Sequence, residues 1–452
     1  MLIDPPPQRE RAQCPFAQFS NPMNRHVHRT VLDNGMVVLV VENPAADIIA
    51  ARIFLRAGSL CDPLEQAGLA HLLATVLSKG TDRLSSMEIA ERVESVGASL
   101  GADAASDYFL LSVKTVSADF ENVLDLAGQL LRQPAFPEAE VELERRLTLQ
   151  SIRSQQEQPF AIAFDRMRQA MYPGHPYGFS SLGTEATVSQ LGRDDLLRYH
   201  QTYFRPDNAV ISLAGRLTPE DALDLVNQVF GDWRAPQNPL PAFWLPPLAP
   251  QPRQLVAPLQ TQQSIVMLGY LAPSVRSEGA GNPYPSDYAA LKLLNTYLGN
   301  GLSSRLFVEL REKRGLAYEV SALYPTRLEP SQFVVYMGTA PENTATALAC
   351  LRGEVERLCE TALSADELQA SKNKLLGQYA LGKQTNAQLA QIYGWYETLG
   401  LGIEFDTRFI EEIAAVTAPV AQAAACRYFT EPYLSLVGPA AAVNHLVSPA
   451  AC

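Results

Sequence analysis

The feature that most restricts how this chain can fold is that its second half repeats the order of its first. The stretch LSSMEIAERVESVGASLGA (84–102) aligns with LSSRLFVELREKRGLAYEV (302–320) at an offset of 218 residues. In both, a helical pattern ends at a glycine, Gly97 or Gly315, and passes into a strand. Further on, PEAEVELERRLTLQ (137–150) matches SADELQASKNKLLG (364–377), each a long helix with an acidic first turn. Both halves close on a short apolar strand, NAVISLAG in one and YLSLVGP in the other. Between them, residues 234–258 hold 8 of the 32 prolines in 25 residues. That density blocks helix and central strand and predicts a stiff, extended linker.

At 452 residues the chain would ordinarily be divided into about three domains. The repeat predicts two large halves, 26–233 and 259–452, joined by the linker at 234–258, with residues 1–25 as an extended N-terminal arm. In the first half, HVHRTVLDNGMVVLVVE reads as a hairpin around Asn34-Gly35, since that dipeptide tolerates the positive φ of a tight turn. A third strand follows in AADIIAARIFLRAG, then helical spacing over Leu69–Leu77 and Met87–Val96. Paired strands at 98–104 and 108–116 lead to helices over 119–132, 138–157, 159–172 and 194–204. In LTPEDALDLVNQVF, Thr218 is placed as N-cap, Pro219 in the first turn and Asp221 for a capping-box-like contact. The predicted class is α+β: two duplicated α/β halves, each an antiparallel sheet with helices packed on it, forming a two-lobed shell with a ligand cleft between the lobes.

Composition narrows the function. A net charge of −12 argues against nucleic acid as a partner, because phosphate binding requires a basic stripe. The acidic balance favours cationic peptides only weakly, since net charge governs association more than it defines a site. Cys14, Cys61, Cys350, Cys359, Cys426 and Cys452 are scattered without C-x-x-C spacing and read as unpaired thiols of a reducing compartment. No apolar run approaches the roughly 18 residues of a membrane span, so no membrane partner is expected. The polar, proline-rich start lacks the apolar stretch of a secretory signal, which makes a cytoplasmic location the expectation.

The segment QAGLAHLLATVLSKGT (66–81) carries a resemblance. It is similar to the helix bearing H-x-x-E-H in the pitrilysin/insulinase family of zinc peptidases, the inverzincins. In that motif two histidines four apart share a zinc ion on one helix face, and the intervening glutamate activates the bound water. Here the five positions read His71-Leu72-Leu73-Ala74-Thr75. The first ligand is kept, the base is alanine and the second ligand is threonine. The family's third, acidic ligand falls on Ser151, while Glu144, seven residues earlier, is retained but is not a ligand in that pattern. The resemblance therefore implies no metal bound by this chain, with His71 left as a hydrogen-bonded core or cleft histidine. The likeness extends through MYPGHPYGFSSLGTEATVSQLGRDDLLRYHQTYFRPDNAVISLAGRL (171–217), where His175 orders a loop between prolines.

In the second half, LFVELREKRGLAYEVSA (306–322) resembles the family's arginine–tyrosine segment, with the pair at Arg311 and Tyr318. Arg311 is expected in the last turn of a helix and Tyr318 just inside the next strand, both directed at one cleft. A guanidinium offers a fork of donors to carbonyl groups, and a phenol can donate to a developing oxyanion. Arg314 is read as a solvated helix-end charge. A lost metal site beside a kept Arg/Tyr pair resembles the non-proteolytic subunit of the heterodimeric branch, one half of a clam-shell chamber. The resemblance implies a peptide ligand, an H-x-x-E-H paralogue as partner, and zinc in that partner. The segment 298–307 is too short for the long glycine-rich loop of the mitochondrial branch, so a bacterial-type pair fits better. A stand-alone peptide-binding or structural assembly protein of the same fold is the alternative. His26 and His28, two apart at a strand start, have only the hairpin's Asp33 nearby and support no relocated metal site.

Overall fold

The computed structural model describes residues 26–242, 245–276 and 287–446; the predicted arm at 1–25 lies outside them. Two sheets organise the chain. The first contains β1 (Val27–Val31), β2 (Val37–Glu42), β3 (Ile48–Leu55), β4 (Ser99–Ala104), β5 (Phe109–Val116) and β6 (Ala209–Gly215), in the order β1-β2-β6-β3-β5-β4. The second contains β7 (Gln254–Pro258), β8 (Ser264–Ala272), β9 (Glu319–Leu323), β10 (Ser331–Thr339) and β11 (Tyr433–Gly438), in the order β7-β11-β8-β10-β9. Apart from the additional β1, the two orders are the same, so the sequence repeat is a repeat of topology.

Each sheet is mixed, which corrects the expectation of antiparallel sheets. β2 pairs β6 in parallel, and β7 pairs β11 in parallel. The final strand of each half returns after a long helical excursion and enters beside an opening strand in the same direction, the arrangement that long crossovers permit. Strand β7 also occupies the last five residues of the predicted linker. Described residues of the strap are held elsewhere as well: the Arg205 guanidinium donates to Asn238 O at 2.7 Å and Pro236 O at 3.1 Å. The Gln251 N–H donates to the Tyr433 hydroxyl at 2.6 Å.

The helices of the first half are α1 (Leu69–Val76), α2 (Ser86–Glu94), α3 (Phe120–Arg132), α4 (Glu138–Gln156), α5 (Pro159–Met171), α6 (Glu185–Val188), α7 (Arg193–Tyr203) and α8 (Pro219–Phe230). The second half adds α9 (Asp287–Gly299), α10 (Thr344–Glu360), α11 (Ala365–Leu381), α12 (Asn386–Thr398), α13 (Phe405–Ala415) and α14 (Ala418–Tyr428). The cap of α8 forms as its sequence suggests, with Thr218 Oγ1 accepting from the Asp221 N–H at 3.1 Å. Gly97 and Gly315 stand at φ +62° and +63°, so the repeat is kept at the backbone conformation that turns a helical segment into an edge strand.

The halves are not separate lobes, because they exchange a helix. Strand β2 is apolar on both faces: Met36, Val38 and Val40 face one core, and Val37, Leu39 and Val41 face another. A sheet with two apolar faces must be covered twice. The second cover of the first sheet is α12, whose Leu389, Ala390 and Tyr393 share a core with Phe54, Val210 and Ala214. Reciprocally, α5 lies on the second sheet, where Ala163, Met167 and Met171 pack against Ile265, Met267 and Val437. Ser435 Oγ, on β11, donates to Ala163 O at 2.9 Å. Both helices are 13 residues long and occupy corresponding places in the repeat. The two halves are therefore interlocked where they meet. Among the described residues, no single helix is long and apolar enough to cross a membrane.

Candidate functional site

Helix α1 is fixed at its N-terminus by Asp62, which accepts from the Gly68 N–H at 2.9 Å and the Ala70 N–H at 3.0 Å. Its Leu69, Leu72, Leu73 and Val76 are buried in the first core, leaving His71 and Thr75 half-buried on the opposite side. Burial pushes the His71 imidazole below its ordinary pKa, and the neighbouring carboxylates of Asp103 and Glu144 push it back up. Its ring has no hydrogen-bond partner among the described residues, so His71 is a cleft histidine but not the hydrogen-bonded one expected.

The residues at the other zinc-motif positions do not fit a zinc ion. Ala74 has no donor atom, and Thr75 Oγ1 donates to Leu72 O at 2.9 Å on its own helix. Ser151 is exposed and donates to Leu147 O at 3.0 Å. Leu143 and Leu147, exposed at the preceding turns of α4, make that face apolar. Glu144, on α4, pairs with Lys79 Nζ at 2.8 Å. Catalytic zinc requires three protein ligands and an open position, and of the three motif ligand positions only His71 supplies one. Among the described residues, no group of three or more His, Cys, Asp or Glu side chains converges to hold a metal ion.

Arg311 and Tyr318 flank the turn at Gly315. Arg311 lies in a π-helical segment, Phe307–Glu312, and not in the last turn of a regular α-helix. Tyr318 immediately precedes β9 and is not inside it. The Tyr318 N–H donates to Gly338 O at 2.9 Å, which fixes its backbone to the sheet while the side chain stands 64% exposed. The Arg311 guanidinium sits 4.9 Å from the Phe307 ring centre. Around it the other cations are committed: Arg305 pairs with Glu354 and Glu309, and Lys313 with Glu309. Arg314 reaches Glu354 at 3.9 Å and donates to Cys350 Sγ at 2.8 Å, so it is not simply solvated. Among the described residues, Arg311 has no carboxylate partner and the Tyr318 hydroxyl has no hydrogen bond.

The two sets of residues are not brought together within this chain. Helix α1 lies against the edge strand β4 and α4, as α9 lies against the edge strand β9 and α11. His71, Thr75 and Ser151 thus belong to one copy of the repeated layout, Arg311 and Tyr318 to the other. No hydrogen bond or ion pair links them among the described residues. His175 orders its loop as expected, Nδ1 accepting from the Tyr177 N–H at 3.1 Å. At 1% exposure it is almost wholly buried, and burial lowers its pKa to about 4.

Sequence reasoning passed over Arg52. A charged residue in the middle of the apolar strand IIAARIFL was the available signal. Arg52 lines a recess of about 640 Å³ at the junction of the halves.

Two family models match the chain, meeting near residue 185–190 within the first half and not at the linker. The family described as "Insulinase (Peptidase family M16)" matches residues 37–185, and "Peptidase M16 inactive domain" matches residues 190–375. An uncharacterized zinc protease of Bacillus subtilis, YmxG, is 27% identical over 421 residues, covering 91% of this chain and 98% of that protein. One from Mycobacterium leprae is 28% identical over 396 residues, covering 86% of each. Among solved structures, a peptidase M16 inactive domain from Pseudomonas fluorescens superposes with a TM-score of 0.83 at 25% identity, over 92% of this chain and 98% of that one. A protease from Helicobacter pylori shares the fold, with a TM-score of 0.85 at 21% identity over 92% of this chain and 100% of that one.

Proposed function

From the premise that this chain belongs to the insulinase (M16) peptidase family, we propose that it is the zinc-less subunit of a heterodimeric metalloendopeptidase. It closes a chamber with an H-x-x-E-H paralogue, binds peptide there, and supplies Arg311 and Tyr318 in trans. The observation that carries this reading is the contrast between the two copies of the layout. On α1 and α4 His71 is the one motif ligand kept, and Thr75 and Ser151 at the other two ligand positions bond to their own helices. Beside β9, an arginine and a tyrosine stand exposed with their polar groups uncommitted, in a neighbourhood where other cations are paired.

The chemistry asked of the pair is modest. The Arg311 fork can hold a peptide carbonyl, and the Tyr318 hydroxyl can donate to the oxygen that gains charge as that carbonyl is attacked. Tyr318 is anchored through its backbone to β10, so its ring is presented without a large ordering cost. Nothing in this chain generates the nucleophile, which the partner must provide.

The test uses this chain alone, a paralogue bearing H-x-x-E-H, and their mixture. The mixture should cleave peptides faster than either protein by itself, and Tyr318→Phe should lower its turnover by roughly 10–1000-fold, as for a lost oxyanion donor. A mixture no faster than the paralogue alone would refute the subunit role. A stable homodimer that binds peptide but alters no peptidase would instead identify a stand-alone binding or assembly protein.

A further inference from the structure

We propose that the recess where the two halves meet is a subsite for the free C-terminal carboxylate of a bound peptide, held by the guanidinium of Arg52. The inference takes from the preceding reading only that the ligand is a peptide.

The recess, about 640 Å³, is of the size that small ligands and short peptide ends occupy, roughly 300–1,000 Å³. Its walls come from both halves: β3 and the β4–β5 turn on one side, the loop 325–327 and α12 on the other. It therefore exists only because α12 crosses to the first sheet. Arg52 alternates on β3 with Ala50 and Phe54, two residues of the core that α12 enters, and so emerges on the face α12 partly covers. Its Nη1 donates to Ala51 O at 3.0 Å and Val113 O at 3.2 Å. These bonds fix the plane of the guanidinium and leave Nε and Nη2 without a partner among the described residues. No carboxylate pairs with it there either.

The second cation in the recess is already accompanied. Arg327 donates to Ser106 Oγ at 3.0 Å and lies 4.1 Å from the Tyr177 ring centre. Asp107, which receives the Tyr177 hydroxyl, is its electrostatic neighbour. Arg327 and Asp107 offset one another, and Arg52 remains as a half-buried positive charge without a counterion. Burial of part of such a charge carries a desolvation cost that an anion entering the recess offsets. A planar fork with open Nε and Nη2 matches a carboxylate in two-point contact. Beside it, Trp395 and Ile392 give apolar surface for a side chain, and the Gln391 amide can meet a backbone group. The recess lies beyond the end of β9, seven residues from Tyr318 to Pro325, at most roughly 23 Å at strand spacing.

The test measures binding to the intact isolated chain by fluorescence anisotropy. The probes are a dye-labelled heptapeptide of six alanines ending in phenylalanine, as the free acid and as the C-terminal amide, with unlabelled 3-phenylpropionate as competitor. The acid should bind at least roughly tenfold more tightly than the amide, and Arg52→Gln should abolish that difference. Arg52→Lys should retain part of it, because charge survives and the fork does not. Equal binding of acid and amide, or no binding of either, overturns the proposal without recourse to any variant. A preference that survives Arg52→Gln overturns the assignment to Arg52. Competition by 3-phenylpropionate at the affinity of the peptide itself would show that a small free carboxylate is the occupant, and overturn the peptide assignment. No partner protein and no cleavage enter the assay, so its failure is distinct from failure of the mixed-chain activity test.

Discussion

Residues 26–233 produced without the rest of the chain should fail to form a native monomer. In the whole protein, α12 and the core it brings cover one face of the first sheet. On that face Val37, Leu39, Val41, Phe54 and Val210 are at most 6% exposed, with Ala50 and Ala214 fully buried beside them. Burying a side chain of the size of valine, leucine or phenylalanine is worth about 1.5–3 kcal/mol. Uncovering five of them forfeits on the order of 10 kcal/mol, somewhat less because a denatured chain already hides part of its apolar surface. Whole domains are stable by only about 5–15 kcal/mol, so the loss consumes most or all of it. The excised half also keeps α5 with no second sheet to cover, and its Met167 and Met171 become exposed. Size-exclusion chromatography, binding of a hydrophobic dye and urea unfolding would show an associated or loosely packed species without a sharp transition. Co-expressing the two pieces divided within the strap should restore a one-to-one complex that unfolds cooperatively. A monomeric 26–233 fragment with a steep urea transition would refute the claim that the exchanged helix is essential to this sheet.

The remaining predictions concern single sites. Gly394→Ala places a methyl group into the Phe54 ring and 2.9 Å from Ser212 Cβ, and should cost about 1–3 kcal/mol as overpacking. Gly269→Ala meets the Met167 sulfur at 2.5 Å, a side chain that can move aside, and should lower the Tm less; the reverse order would contradict the packing described. Because burial holds His175 neutral, with a pKa near 4 against an ordinary value near 6.5, the unfolded chain takes the proton first as pH falls. Stability should therefore decline between about pH 6.5 and 4, by up to about 3 kcal/mol from this residue, and His175→Asn should flatten that part of a Tm-against-pH profile. The triple variant Ala74→Glu, Thr75→His, Ser151→Glu should take up roughly one zinc per chain by metal analysis, where the unaltered chain takes up far less. Failure to gain metal would mean that α1 and α4 are no longer spaced for it.

What the sequence disclosed and what it withheld differ for a physical reason. The repeat was legible at Gly97 and Gly315 because a left-handed turn out of a helical segment demands glycine, and that demand leaves the same letter in both copies. That positions 74, 75 and 151 carry alanine, threonine and serine was legible directly, and metal ligation tolerates few residue types, these three not among those it needs. The exchange of α5 and α12 was not legible. Apolar spacing tells which face of a helix or strand is hidden, and β2 shows that both its faces are, but neither pattern says which half supplies the cover. The parallel entry of β6 beside β2 was hidden for the same reason, since strand direction is set by the path of the intervening helices. Arg311 and Tyr318 could be picked out by resemblance, whereas their freedom from partners depends on where Glu309 and Glu354 point. Arg52 left a trace that went unused, one guanidinium amid seven residues of an otherwise uncharged strand.

The exchanged helices also make each half depend on the other for folding, whatever either half binds. The two copies of the layout, α1 with β4 and α4, and α9 with β9 and α11, sit on sheets that each need a helix from the other half. Discarding the first half would remove α5 from the second sheet and uncover Ile265, Met267 and Val437. The first half is therefore required for folding whether or not it binds anything. Its ligand positions carry no such requirement. Thr75 bonds to its own helix, Ser151 is exposed, and His71 is only half-buried without a hydrogen bond. Residues there can change at little cost to stability, whereas Leu72 and Leu73, between His71 and Ala74, are fixed by the core. The core face of α1 thus serves the fold, and the face that carries His71 and Thr75 is free of that requirement.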